Sequence, residues 1–464
     1  MSPLIKTLSL CIVALTASFV AAHFYPWADI ATKSSTVGEP LFKDYEPTTV
    51  RRIIIEQYDP KTRKLATMVA RRKGEQWLLP DKDNFVVSNA RHIAQVTNSL
   101  LQREVLEETS RREADHSNFG VIDPALYKTT ANKSALGIKI TLEDASKRPI
   151  ANLIVGKPAG QNTGGGQTQK RFVAVPGQPN VYMLEINPFA LTTRFEVWIQ
   201  PNLFQLSQQI ESQLIFEKMA EDTPDRAEYK LVFNASSSAT PANKLPLSML
   251  QMTKQDGTVV DASLADSSQN AVVLMVRQLA ALFVTNVFAS NSEVKGAISD
   301  AKNSATASDF ESLKPRGIKF VSDDQSQLML AGAKGKVGVE FGSGLVITMY
   351  LGDSLTDIDA TADRPERYGV LVATVDEALI EIPVAPEVDG QPNTDQAEKE
   401  EKAYLLAVKE RNETLKSSRV SANEFNQQHA GWIYAVPEEA INNLLPVLEL
   451  EAKAAEAAEP EKSP

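Results

Sequence analysis

The chain holds a single cysteine, Cys11, and it lies in an apolar N-terminal run. The remainder can form no internal disulfide and no thiolate metal site. Histidine is almost as scarce: His23, His92, His116 and His429 are scattered, with no pair at a metal-ligand spacing. Basic excess is missing too. The formal net charge of -11 argues against a nucleic-acid role, which needs a basic face, and suits an anionic lipid surface poorly. Aromatic residues make up only 7%, which weakens a carbohydrate-binding reading. No G-x-S-x-G elbow, H-E-x-x-H helix or D-x-D-x-D-G calcium loop occurs.

What remains is the composition of a folded protein. Of 464 residues, 43% are hydrophobic and 23% charged, enough for two or three cores without staples. The N-terminus carries the longest apolar run, residues 8–22, without charge and followed by His23, Phe24, Tyr25 and Trp27. About 20 residues of helix span a hydrocarbon core, and the aromatic belt suits the headgroup level. Residues 8–27 therefore predict a transmembrane anchor in the inner membrane, with the bulk of the chain extracytoplasmic. The competing reading is a cleaved signal peptide, for which Val20-Ala21-Ala22 supplies the small residues.

Beyond a polar linker, strand-like runs begin. Residues 52–56 and 65–70 flank the turn signal Asp59-Pro60-Lys61, and residues 75–80 follow as a third strand. A helix begins near Ser88, with Ile93, Val96 and Leu100 on one face. Extended segments follow at 119–124, 138–142, 153–155, 172–175 and 181–184. The second half retells this order. Residues 229–233 and 257–260 and a helix from Gln269 lie roughly 180 residues beyond the runs at Ile53, Trp77 and Ser88; segments at 316–320, 337–341, 346–350 and 368–372 lie roughly 195 beyond theirs. Residues 386–401 form an acidic linker, a charged helix is expected over 394–419, and Trp432-Ile433-Tyr434-Ala435-Val436 is a strand before a helix opened by Pro437.

These patterns predict an α+β chain: an N-terminal transmembrane helix, two similar β-rich mixed domains related by internal duplication, and a C-terminal helical and strand extension. The segments are 1–30 (anchor or signal), 31–46 (linker), 47–210 and 211–385 (the two domains), 386–448 (extension) and 449–464 (a fraying acidic tail).

No residue qualifies as catalytic, cofactor-binding or metal-ligating. Gly164-Gly165-Gly166 lacks the Lys-Ser/Thr of a phosphate loop and stands between two strands. Asp353, Asp357, Asp359 and Asp363 lack the spacing of a calcium loop. The acid pairs Glu107-Glu108 and Asp323-Asp324 fit solvated surface. Asp115 beside His116 has no nucleophile to serve. Trp77, Trp198 and Trp432 fit core packing better than a sugar platform.

Trp77-Leu78-Leu79-Pro80, the helix from Ser88 and Phe119-Gly120-Val121-Ile122-Asp123-Pro124 together resemble the bacterial domain-of-unknown-function 4340 family. Asn152-Leu153-Ile154-Val155-Gly156-Lys157 resembles its glycine-closed strand, and Arg171-Phe172-Val173-Ala174-Val175 the hairpin arm after it. Arg316-Gly317 and Trp432-Ile433-Tyr434 resemble the long two-part versions of planctomycete-like bacteria. The resemblance implies an anchored, extracytoplasmic body associated with ABC-type permease subunits of the gliding-motility auxiliary class. It implies no catalytic or ligand residues. The expectation is a non-enzymatic accessory or scaffold protein. The alternative is a binding module for a cell-wall polymer or small solute, and a hydrolase with an unfamiliar site ranks last.

Overall fold

The computed structural model describes residues 36–160, 168–199, 203–204, 212–220, 226–235, 247–254, 256–290, 311–322, 328–355, 364–386 and 394–452. The chain divides into two compact units, Met1–Gln200 and Pro201–Pro464.

The first unit opens on a strand with one face in the core. In β1 (Arg52–Asp59), Ile53 and Ile55 share one face and are fully buried, as alternate strand residues must when one face meets a core. The strands β2 (Lys64–Lys73), β3 (Gln76–Leu79) and β4 (Phe85–Val86) fold back one upon the next. Helix α1 (Ala90–Asn98) follows; Asn89, one residue beyond the expected Ser88, caps it by accepting from the His92 N–H at 3.1 Å. Then come β5 (Glu107–Ser110), the single turn α2 (His116–Phe119), β6 (Ile138–Glu143), β7 (Pro149–Pro158), β8 (Gln169–Ala174) and β9 (Val181–Ile186). The sheet order is β4-β3-β2-β1-β6-β7-β8-β9-β5. Two meanders thus meet where β1 pairs with β6.

The second unit has β10 (Ser212–Met219), β11 (Ala227–Ala235), β12 (Leu247–Thr253), β13 (Val259–Leu264), helix α3 (Gln269–Ala280) and β14 (Asn286–Ala289). A separate hairpin, β15 (Ile318–Ser322) with β16 (Leu328–Gly332), precedes β17 (Gly335–Phe341), β18 (Leu345–Ser354) and β19 (Glu366–Val375). Helix α4 (Thr394–His429), β20 (Trp432–Pro437), helix α5 (Glu438–Leu444) and β21 (Leu450–Ala452) complete it. The large sheet runs β14-β20-β19-β18-β17-β10-β11-β12-β13-β21. Without β21, this is the first sheet's order strand for strand, read from the opposite end.

The correspondence reaches single residues. Glu56 lies opposite Lys139 where β1 meets β6, and Glu217 lies opposite Lys336 where β10 meets β17. Both couples are ion pairs, at 3.6 and 3.2 Å. A ladder irregularity falls between Val155 and Pro158 in β7, and another between Leu351 and Ser354 in β18. Gly120 and Gly317 close short helical turns at φ +72° and +71°, a conformation that disfavours any side chain. Gly156 and Gly352 pack against the carbonyls of Phe119 and Arg316 that precede those turn glycines.

The expected α+β class is corrected. The described chain is mostly antiparallel β-sheet in three sheets. Strand outweighs helix, even with the 36 residues of α4 included. Among the described residues no helix is long and apolar enough to cross a membrane. The predicted span at 8–27 lies outside them.

The C-terminal part is no extension either. Trp432–Pro437 is an internal strand of the second sheet, between β14 and β19, because its apolar residues Ile433 to Val436 are core. The tail begins with β21, paired to β13, so residues 450–452 do not fray. The matches made for residues 229–233 and 257–260 slip by one strand. The counterpart of β1 is β10, and that of β3 is β12. Of the residues expected as extended, Phe119 ends α2 and Gly120 is its left-handed cap, while Ile122 makes an isolated bridge to Leu136.

Candidate functional site

The residues weighed in sequence are scattered. Glu107 is exposed on β5, while Glu108 accepts from Arg111 at 2.8 Å and from the Asn180 amide. The Arg111 hydrogen bond, then that of Asn180, holds the Glu108 carboxyl below its ordinary value. Asp115 accepts from the Ser110 hydroxyl at 2.6 Å and from Arg112 at 3.1 Å. His116 places Nε2 3.1 Å from the Pro179 carbonyl oxygen. Asp115 and His116 therefore face separate partners and make no catalytic pair. Asp353, next to last in β18, lies against Gly317. Asp357, Asp359, Asp363, Asp323, Asp324 and the glycines at 164–166 lie outside the described residues. Among the described residues, no three metal-ligand side chains gather.

The tryptophans are packing residues. Trp198 is fully buried, its indole N–H donates to the Thr192 carbonyl at 3.2 Å, and it meets His92 edge-on at 4.8 Å. Trp77 and Trp432 are half-buried on β3 and β20.

His92 is 2% exposed and its Nε2 makes no hydrogen bond among the described residues. Burial pulls its pKa down to about 4, with a Gln95 hydrogen bond opposing. Its folded pKa lies below its unfolded value near 6.5, so the unfolded chain takes up the proton first as pH falls. Stability present above pH 6.5 is then lost down to about pH 4, by up to roughly 3 kcal/mol. Denaturant titrations between those pH values should show this loss in the native chain and a smaller one in His92→Phe. Equal pH slopes for the two proteins would remove His92 as the cause.

Comparing the two units exposes what the sequence concealed. The loop joining β8 to β9 is short, residues 175–180, whereas the corresponding connection from β19 to β20 contains the whole of α4, 36 residues long. Only the second half of that helix is seated. Leu415, Ser418, Ala422, Phe425 and Asn426 are buried, whereas Leu405 and Leu406 are 57% and 56% exposed. Asn426 anchors the seated half: its Nδ2 donates to the Ala373 carbonyl and its Oδ1 accepts from the Ala373 N–H, both at 2.8 Å.

The second difference concerns charge. Arg171 lies opposite Pro158 and Arg367 opposite Ser354, each just past the matching ladder irregularity, so the two arginines are equivalent. Arg367 is neutralised: Nε and Nη2 donate to Glu438 Oε1 at 3.0 and 2.7 Å. Arg171 has no acid. Its Nη1 makes one long contact, 3.4 Å, to Gln169 Oε1, and its buried Nε has no partner among the described residues. Burial lowers its pKa from the usual arginine value. In sequence, the only signal was an arginine opening the apolar run Phe172 to Val175.

Residues 77–301, just under half of the chain, match the model of a family described as Domain of unknown function (DUF4340). The match begins in β3 and ends past β14, so it supports that family across parts of both units. No curated protein and no solved structure matches the chain.

Proposed function

We propose that this chain is a non-enzymatic, extracytoplasmic accessory protein of the long, two-repeat DUF4340 type, docking on the permease subunits of an ABC-type transport system. The observation that carries the reading is α4. A helix of 36 residues stands where the other unit has a tight turn, and its unseated half presents Leu405 and Leu406 to solvent. Two adjacent leucines left in water on an otherwise charged helix are apolar area that a partner can cover. The apolar run at residues 8–22 supports export from the cytoplasm.

The test is co-purification of the full chain in mild detergent. Permease subunits should be recovered with the native protein and lost from the Leu405→Asp, Leu406→Asp double variant, whose substitutions lie outside the seated half. Reproducible recovery of the protein alone, or equal recovery with both proteins, would refute the docking role. Fractionation that finds the intact chain in the cytosol would refute the location.

A further inference from the structure

Independently of the docking reading, we propose that Arg171 of the first unit receives a carboxylate from outside the chain, in the position that Glu438 fills internally in the second unit. The β7–β8 and β18–β19 ladders share one register and one irregularity, which puts Arg171 and Arg367 at the same point of the repeat. On the next strand, Gln169 pairs with Ile186, and the Glu438 N–H donates to the Pro365 carbonyl at 3.0 Å. Ile186 therefore occupies the station of Glu438. Where the second unit carries an acid, the first carries a fully buried isoleucine.

A guanidinium among apolar groups is costly unless an anion pairs with it. Arg171 nevertheless sits beside Leu184 and Ile186, both fully buried, with Nε out of contact with solvent. The neighbouring connection, residues 161–167, cannot supply the charge, because it contains no acidic residue. The ligand class follows from the filled site: a carboxylate oxygen taking two N–H bonds from one guanidinium edge, as Glu438 does. Either a small dicarboxylic acid or an acidic side chain of a partner polypeptide offers that group.

The experiment observes the guanidinium directly. In the full chain labelled with 15N-arginine, the Arg171 Nε–Hε resonance is assigned by its disappearance in Arg171→Gln. Glutarate, a triglutamate peptide and inorganic phosphate are then titrated in turn. Saturable shifts of that resonance by glutarate or by the peptide support the proposal, and the tighter of the two names the source. Shifts by phosphate alone would overturn the carboxylate assignment. No saturable shift at tens of millimolar of either carboxylate would overturn the site.

Two variants test the equivalence. Ile186→Glu should install the missing acid and abolish the response to glutarate. Should that variant fail to fold, Glu438→Gln serves instead. It removes the internal acid and should make the Arg367 resonance respond to glutarate with a millimolar affinity like that of Arg171. An Arg367 resonance indifferent to glutarate in Glu438→Gln would count against the proposal.

Discussion

Asn426→Ala lowers the unfolding free energy of the second unit by about 3 kcal/mol. The side-chain amide closes two hydrogen bonds on the main chain of Ala373, a residue with no exposed surface. Alanine removes both and strands a buried N–H and a buried carbonyl, each costing about 1–3 kcal/mol when unsatisfied. Asn426 stands in for a strand. Ala373 lies beyond the last residue of β19 that pairs with β20, which is Val370 opposite Ile433. The amide continues the ladder that the neighbouring strand no longer supplies. Chemical denaturation read together with hydrogen exchange at residues 366–375 measures the effect. A loss under about 1 kcal/mol, the range of an ordinary exposed side chain, would show that water replaces the amide. Asn426→Gln should rescue little, because its extra methylene moves the amide out of register.

The second large effect concerns the glycine pairs. A methyl group at Gly352 would drive into the carbonyl oxygen of Arg316, and one at Gly156 into that of Phe119. Both obstacles are main chain, which cannot step aside as a side-chain tip can. Gly352→Ala and Gly156→Ala should each cost about 2–4 kcal/mol through overpacking. The losses should fall on the unit that carries the substitution, as reported by hydrogen exchange in β18 or in β7. By contrast, Gly257→Ala, where a Cβ would meet nothing within 4 Å, pays only for its φ of +88°, about 1 kcal/mol. If all three substitutions cost the same, close packing of the first two glycines is not what matters.

Much of the β architecture was legible. Ile53-Ile54-Ile55 and Leu65 to Ala70 are short apolar runs of strand length, and the turn at Asp59-Pro60-Lys61 joins them as a hairpin. The resemblance carried by Trp77, Gly120 and Gly156 falls where the family model begins and where the packed glycines lie. The later matches, from Ile138 onward, fell on corresponding strands because the offset hardly changes there: Lys139 to Lys336 is 197 positions and Gly156 to Gly352 is 196.

The early matches slipped. Short alternating strands look alike when displaced by one hairpin arm, and only pairing partners separate them. Glu56 with Lys139 and Glu217 with Lys336 do so in three dimensions. Trp432–Pro437 escaped recognition as a repeat strand because α4 separates it from β19. The expected α+β class failed on weighting, since amphipathic helices stand out in sequence more strongly than the short strands that outnumber them. The contrast between Arg171 and Arg367 was invisible, because Glu438 reaches its arginine from the first residue of α5, just past the end of β20, a relation that no linear spacing encodes.

The inserted helix also bears on the order in which the chain takes shape. In the first unit β8 and β9 are near neighbours, so their pairing closes a small loop and forms early. In the second, β19 waits for β20 until all of α4 has been synthesised, and β13 waits longer still for β21 at the far end. Such distant pairings slow folding. A chain emerging from its N-terminus, wherever it folds, would complete one half while the other still lacked the strand between β14 and β19, leaving that half the more exposed to proteases and chaperones.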